Sequence, residues 1–204
     1  MELYDSEEQQ VEAIKDWWKE NGKAVVLGAV IGLGGLFGWR YYQDSAVQGQ
    51  ESAADAYAET VQALNTKGLD ASQDVQAFIS AHADREYAVL AALQLAQAQV
   101  AEGKYQEAVD QLEWAKANTK DEAIAPVIAL RAVRVKAELG DLDGAIAELD
   151  TLKAVGWEGR VAELKGDLFL RKGDSANAYT AYTEAQQASD ASQSIQFKLD
   201  DLAK

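Results

Sequence analysis

Residues 103–108 read Gly-Lys-Tyr-Gln-Glu-Ala, and a related pattern occurs twice more along the chain. Residues 140–145 read Gly-Asp-Leu-Asp-Gly-Ala, and residues 173–178 read Gly-Asp-Ser-Ala-Asn-Ala. Gly68 lies 35 residues before Gly103, and the next two intervals between these glycines are 37 and 33 residues. Intervals of this length are typical of repeated helix–turn–helix units. The pattern therefore predicts an all-α chain of stacked helical pairs.

Each unit contains a glycine that ends one helix and an alanine that lets two helices cross closely. Residues 164–169, which read Leu-Lys-Gly-Asp-Leu-Phe, resemble the first helix of a tetratricopeptide repeat (TPR). The resemblance implies a TPR-like α-solenoid of about four helix pairs with a C-terminal capping helix. The residues expected to shape these repeats are Gly103, Tyr105, Ala108, Gly140, Ala145, Gly166, Phe169, Gly173, Ala178 and Tyr182.

Beyond Gln43 apolar residues recur at intervals of three and four, as in amphipathic helices. The lone proline, Pro126, falls within about the first turn of its helix, where it is tolerated. The predicted helices lie near 70–82, 84–102, 104–118, 121–139, 142–155, 158–172 and 174–189, with a final helix from about 191.

In such a stack the first helix of each pair lines the concave face. Mixed charge on this face suits a peptide or protein ligand better than an apolar small molecule. The alternative is that these positions are simply solvated. The candidate partner-binding residues are Gln97, Arg134, Glu138, Arg160, Glu163, Asp167 and Arg171.

Near the N-terminus, residues 24–39 contain no charged or polar side chain. Residues 24–42, with Arg40 extending its side chain to the interface, form about 28 Å of helix, close to the roughly 30 Å hydrocarbon core of a bilayer. Trp17 and Trp18 precede this segment, and Trp39, Tyr41 and Tyr42 close it, as in an aromatic belt. The segment is predicted to be a transmembrane signal anchor.

Residues 1–23 form a predicted cytoplasmic segment with a short amphipathic helix ending at Asn21-Gly22. Three lysines precede the span and no basic residue follows Arg40 until Lys67, which favours a cytoplasmic N-terminus and a periplasmic domain over 43–204. The anchor helix is open to continuation as far as Leu64. A cleaved signal peptide is the less favoured alternative, because the preceding region is long and acidic.

Glycines lie one turn apart within the span, at Gly28, Gly32, Gly34 and Gly38. Such pairs allow close approach of another transmembrane helix. The alternative is that glycine is simply common in transmembrane helices.

Composition excludes several kinds of chemistry. With no cysteine and a single histidine, His82, the chain lacks thiolate metal sites and the usual nucleophile–base sets. A net charge of −15 argues against nucleic-acid binding. We therefore expect no catalytic residues, no cofactor, no metal, no small-molecule substrate, and a protein that is not an enzyme.

The order of these parts resembles the YfgM family. The resemblance is densest in residues 1–42, including Glu-Asn-Gly-Lys-Ala at 20–24 and Gly-Trp-Arg-Tyr-Tyr at 38–42, and continues at Leu149–Lys153 and Gly156-Trp157. It implies a bacterial inner-membrane protein, an ancillary subunit of the SecYEG translocon that associates with a PpiD-type membrane chaperone and links translocation to periplasmic folding. The alternatives are a self-associating envelope scaffold and a stress-signalling regulator.

Overall fold

The computed structural model describes residues 7–202, which divide into two compact units, one up to Ser52 and the other from Ala53 onward. Its helices are α1 (Glu7–Lys67), α2 (Ser72–Ala81), α3 (Glu86–Ala101), α4 (Tyr105–Asn118), α5 (Ala125–Glu138), α6 (Leu142–Thr151), α7 (Glu158–Arg171), α8 (Ser175–Gln187) and α9 (Ile195–Leu202). A short 3-10 turn, Gly68–Ala71, joins α1 to α2. The described residues include no strand, and the predicted all-α class is confirmed.

The first unit contains the N-terminal part of α1. The predicted helix end at Asn21-Gly22 is wrong, because α1 includes both residues. Asn21 donates its side-chain amide to the carbonyl of Trp17 instead of capping the helix. A Cβ on Gly22 would lie 3.2 Å from Trp18 Cε2, so this glycine makes room for the indole ring.

The second unit is a succession of antiparallel helices, each packed on its neighbours in the chain. The first helices of the pairs are α3, α5 and α7, and the second helices are α4, α6 and α8. Helix α9 packs on α8 at the C-terminal end, as expected for a cap. Three apolar clusters follow one another along the stack and join successive pairs. This architecture confirms the predicted TPR-like solenoid, with three complete helix pairs among the described residues rather than about four.

Glycine and aspartate at the turns explain where the helices end and begin. Gly103, Gly140 and Gly173 have φ of 71°, 89° and 82°, a left-handed conformation that ends a helix at little cost for glycine. Asp141 and Asp174 follow two of them and accept the backbone N–H of Gly144 and Asn177. Each Gly-Asp pair therefore stops one helix and caps the next.

Three helices are shorter than the sequence predicts. Helix α5 begins at Ala125 rather than near residue 121, because Asp121 forms a turn that accepts the backbone N–H of Ala123. Helix α6 ends at Thr151 rather than residue 155, and Gly156, with φ of 79°, lies in the loop that follows. Helix α9 begins at Ile195 rather than near residue 191.

Candidate functional site

A groove lies between the first helices of two successive repeats. Leu93, Ala96, Gln97 and Val100 of α3 form one wall, Arg131, Arg134 and Val135 of α5 form the other, and Leu112 of α4 lies at its base. We call these eight residues the α3–α5 groove. Its volume is about 370 Å³. Gln97 and Arg134 were predicted to lie on a common face, and both line this groove.

Two guanidinium groups give this groove its charge. Arg131 and Arg134 are one turn apart on α5, and both side chains are exposed. Within residues 7–202, neither has a carboxylate within ion-pair distance. The groove therefore combines an apolar interior with cations that are available to an external anion, in a chain of net charge −15.

Two other expected face residues pair with each other. Arg171 Nη1 of α7 donates to Glu138 Oε1 of α5 at 2.7 Å, and Arg171 Nη2 donates to the carbonyl oxygen of Ala137 at 3.3 Å. Both paired side chains are 46% exposed, so water screens the attraction strongly. This contact links successive first helices and satisfies both charges internally.

Glu163 and Asp167 face a third group, Lys198 of the capping helix. Lys198 Nζ lies 2.9 Å from Glu163 Oε1 and 2.6 Å from Asp167 Oδ1. Burial raises the pKa of Glu163, but the hydrogen bonds from Lys198 and Ser192 and the positive charges of Lys198 and Arg160 together outweigh it and hold that pKa below 4.5. Burial lowers the pKa of Lys198, but hydrogen bonds to the two carboxylates outweigh this and raise it above 10.5. Glu163 and Lys198 are therefore charged at neutral pH.

Arg160, at the start of α7, is exposed and close enough to Glu163 to lower the pKa of that carboxyl group. Its backbone N–H donates to Asp190 Oδ2 at 3.1 Å, and the N–H of Gly159 donates to Asp190 Oδ1 at 2.7 Å. Asp190, in the loop between α8 and α9, thus caps the N-terminus of α7.

Of the seven expected face residues, Gln97 and Arg134 line the open α3–α5 groove, and Arg160 is exposed near Glu163. The other four are paired: Glu138 with Arg171, and Glu163 and Asp167 with Lys198.

The residues expected to shape the repeats lie in the packed interior or at the turns. Ala108, Ala145 and Ala178 have no exposed surface. Tyr105 and Phe169 are half-buried against the apolar clusters.

Tyr182, which is 1% exposed, donates its hydroxyl to Asp167 Oδ1 at 2.7 Å. Burial raises the pKa of Tyr182, and the Asp167 carboxylate raises it further, so the phenol stays protonated.

In the first unit, every residue from 23 to 45 is exposed. Of the helices described, one is long and apolar enough to cross a membrane, with a mean hydropathy of 1.5 and 6% of its apolar window buried. Trp18 and Trp39 are separated by about 32 Å along α1 at roughly 1.5 Å per residue, and both are more than half exposed. Trp17, Tyr41 and Tyr42 are similarly exposed.

Arg40 is exposed beside these aromatic residues at the C-terminal end of the apolar segment. A Cβ on Gly28, Gly32, Gly34 or Gly38 would meet nothing within 4 Å, so these glycines leave flat backbone on the helix surface.

His82 follows α2, and its ring centroid lies 4.6 Å from that of Phe78. Its backbone N–H donates to the carbonyl of Phe78 at 3.0 Å, which places this histidine in the helix-terminating turn.

Two residues that shape the candidate surface, Arg131 and Lys198, were not predicted from the sequence. Arg131 lies three residues before Arg134, so helical periodicity alone was sufficient to find it. Lys198 is 31 residues from Asp167 along the chain, and only the packing of α9 brings the two together.

Comparisons with known proteins agree with this architecture. A family model described as "Tetratricopeptide repeat-like domain" matches residues 15–204. A relative from Escherichia coli K12, named "Ancillary SecYEG translocon subunit", is 39% identical over 100% of both chains. Relatives with the same name from Aggregatibacter actinomycetemcomitans and Haemophilus influenzae are 35% and 32% identical, over 96% and 89% of this chain and 97% and 89% of their own lengths. No solved structure matches the chain.

The fold and the groove define a helical-repeat protein of the TPR-like class with an apolar N-terminal helix. The chain belongs to the tetratricopeptide repeat-like family whose members include proteins named as ancillary SecYEG translocon subunits.

Proposed function

We propose that this protein is a non-catalytic ancillary subunit of the Sec translocon, anchored in the bacterial inner membrane by a single helix. The observation that carries the proposal is the similarity to a protein of that name at 39% identity over the whole of both chains, apolar segment included. A solenoid that offers an open groove and a helix that exposes an apolar surface both suit a protein whose role is to bind other proteins.

Residues 1–23 lie in the cytoplasm, residues 24–42 span the membrane, and residues 43–204 lie in the periplasm in this proposal. Lys15, Lys19 and Lys23 before the span support that orientation. Because the natural chain has no cysteine, Glu12→Cys and Ser189→Cys each introduce a single thiol. In spheroplasts, a membrane-impermeant maleimide should label the cysteine at 189 and not the one at 12. The reverse labelling would contradict the orientation.

The partners we propose are the SecYEG channel and a PpiD-type membrane chaperone, and the chaperone contact links translocation to folding in the periplasm. The glycine-lined surface at Gly28, Gly32, Gly34 and Gly38 is the proposed contact with a partner's transmembrane helix, since it presents backbone without side chains. The α3–α5 groove, with Gln97 and Arg134, is the proposed contact for a partner segment in the periplasm.

Photo-crosslinking in intact membranes tests these partners. Probes at Val30 in the span and at Gln97 in the groove should form adducts with channel subunits or a membrane chaperone. A probe at Glu107, on the exposed surface of α4, is the matched control and should form far fewer. If adducts form only between copies of this chain, the self-associating envelope scaffold replaces the translocon subunit as the proposed function.

A further inference from the structure

Charges on the first helices of the solenoid are distributed unevenly between the two ends. On α7, Glu163 and Asp167 pair with Lys198, and Arg171 pairs with Glu138 of α5. On the groove side of α5, Arg131 and Arg134 point at no acidic partner among residues 7–202. Arg160 of α7 is also exposed, but its charge lies near Glu163. Arg131 and Arg134 are therefore the adjacent pair of cations that the first helices leave open to a ligand, and they lie at the α3–α5 groove.

The groove also has an apolar interior of defined size. Leu93, Ala96 and Val100 of α3 face Val135 of α5, with Leu112 of α4 beneath them. A volume of about 370 Å³ is at the small end of ligand sites, which are typically 300–1,000 Å³. It admits one or two apolar side chains of an extended segment and not a folded surface. Gln97, at the rim, offers an amide that both donates and accepts hydrogen bonds.

We propose that the α3–α5 groove binds an extended acidic segment of a partner polypeptide, with an apolar side chain in the cavity and flanking carboxylates on Arg131 and Arg134. This deepens the proposed function, on which it rests for the existence of a partner. Guanidinium groups suit the task because their planar fork matches a carboxylate with two parallel hydrogen bonds. The apolar anchor supplies affinity, and the two arginines select the sign of the segment.

The chain's net charge of −15 opposes an acidic ligand at long range. At physiological ionic strength, however, charges are screened beyond about 8 Å, so the two guanidinium groups at the groove dominate at contact. The net charge disfavours a second copy as the occupant more than a short segment, because repulsion grows with the product of the two charges and each copy carries −15. A short segment with a few carboxylates meets much less repulsion.

Fluorescence anisotropy on the full chain in zwitterionic nanodiscs tests the proposal. The probe is a fluorescein-labelled nine-residue peptide with one leucine flanked on each side by two glutamates and capped at each end by one glycine and one serine. Matched peptides replace the leucine with serine or the glutamates with lysine. We expect the acidic leucine peptide to bind at least about tenfold more tightly than either matched peptide, and binding to weaken as salt increases.

The variant Arg131→Gln/Arg134→Gln should weaken binding of the acidic peptide at least about tenfold, and the lysine pair R131K/R134K should restore part of the affinity. The control Lys67→Gln/Lys104→Gln changes the net charge equally at exposed sites outside the groove, and should change affinity less than about twofold. Thermal unfolding of each variant shows whether the fold is retained.

Equal binding of the basic peptide, or no effect of R131Q/R134Q in a folded protein, would overturn the proposal. Self-association that is abolished by the same variant, measured by sedimentation without peptide, would instead place a second copy in the groove. Copurification of the protein with the channel distinguishes a failure of the groove proposal from a failure of the proposed function. If copurification persists while the acidic peptide fails to bind, only the groove proposal is lost; if the peptide binds and copurification fails, only the translocon role is lost.

Discussion

The ring of Tyr182 lies directly against the backbone of Gly166. A Cβ built on Gly166 would be 2.4 Å from both Cδ1 and Cε1 of Tyr182, a separation that real Cβ atoms do not tolerate. The ring belongs to α8 and the glycine to α7, so the absence of one side chain sets how closely these helices approach. The hydroxyl at the far end of the ring is fixed by Asp167, which prevents the ring from moving aside freely.

Gly166→Ala should destabilise the protein by about 1–2 kcal/mol in urea unfolding. Overpacking a core costs about 1–3 kcal/mol, and the better helix propensity of alanine recovers up to about 1 kcal/mol of it. The control is a double-mutant cycle with Tyr182→Ala, which removes the ring. In that background Gly166→Ala should stabilise the protein. If G166A is equally destabilising with and without the ring, the contact does not limit the approach of the helices.

Four alternating charges connect α4, α5 and α6. Lys116 Nζ lies 2.7 Å from Glu113 and 2.9 Å from Glu148, and Lys136 Nζ lies 2.7 Å from Glu113 and 2.6 Å from Glu148. Burial raises the pKa of Glu113 and Glu148, but hydrogen bonds from the two lysines outweigh it and hold both below 4.5. Burial lowers the lysine pKa values, and hydrogen bonds to the glutamates raise them above 10.5.

Glu113→Gln should cost about 1 kcal/mol of unfolding free energy at pH 7, since solvent screens these partly exposed pairs. A carboxyl group with a lowered folded pKa stabilises the protein above its unfolded pKa of 4.5 and loses this contribution as the pH falls through the folded value. The raised lysine pKa values contribute stability below 10.5 that is lost as the pH rises through the folded values.

The difference between wild type and E113Q should therefore be constant across neutral pH and shrink in acid below about pH 4.5. Urea unfolding at a series of pH values measures it. Glu107→Gln, on the exposed side of the same helix, is the control and should show a smaller difference at pH 7. If the difference in unfolding free energy between wild type and E113Q grew as the pH fell, the prediction that folding lowers the pKa of Glu113 would be wrong.

Lys198→Gln should loosen the capping helix. The substitution leaves Glu163 and Asp167 without their shared cation and removes the ammonium group 5.4 Å from the centroid of Tyr182. We expect a loss of about 1–2 kcal/mol after allowance for partial exposure, and faster hydrogen exchange in α9. Lys153→Gln, in an exposed loop, should leave exchange in α9 unchanged. Unchanged exchange in K198Q would show that apolar contacts of Ile195 and Leu199 suffice.

Leu33→Arg should release the protein from the membrane. Leu33 is at the middle of residues 24–42 and is 58% exposed. Arginine at the centre of a transmembrane helix costs about 2.5–3.5 kcal/mol for insertion, whereas leucine is favourable by about 0.5 kcal/mol. Alkaline extraction followed by sedimentation should recover more L33R in the soluble fraction. Leu170→Arg, at an exposed leucine of α7, should remain in the membrane fraction, and equal behaviour of the two variants would contradict the proposed span.

The order of most helices followed from the periodicity of apolar residues and from the glycines at the helix ends. Gly103, Gly140 and Gly173 marked helix ends because only glycine adopts positive φ readily, a local property that is legible in the sequence. The same rule failed at Asn21-Gly22, where the glycine serves the packing of Trp18 and the helix continues. The start of α5 was misplaced because an Asp121 side-chain hydrogen bond favoured a turn over a helix.

The candidate site was only partly predictable. Gln97 and Arg134 were assigned to a common face from the repeat register, and they line one groove. The same register placed Glu163 and Asp167 on that face, although both carboxylates pair with Lys198 in the structure. Helical periodicity orients a side chain relative to its own axis, but it does not indicate which distant residue packs opposite.

The sequence by itself determined the all-α class, the succession of helices, the glycine turns and the apolar segment, because each follows from the pattern of residue types along the chain. Tertiary structure alone decided which charges are paired and which are open to a ligand. Glu138 and Arg171 form an ion pair although they are 33 residues apart in the sequence, and Asp167 and Lys198 do so although they are 31 apart. Arg131 and Arg134 form no ion pair with a carboxylate among residues 7–202. Such pairings depend on how helices pack, since attraction between charges depends on distance in space and not on separation along the chain.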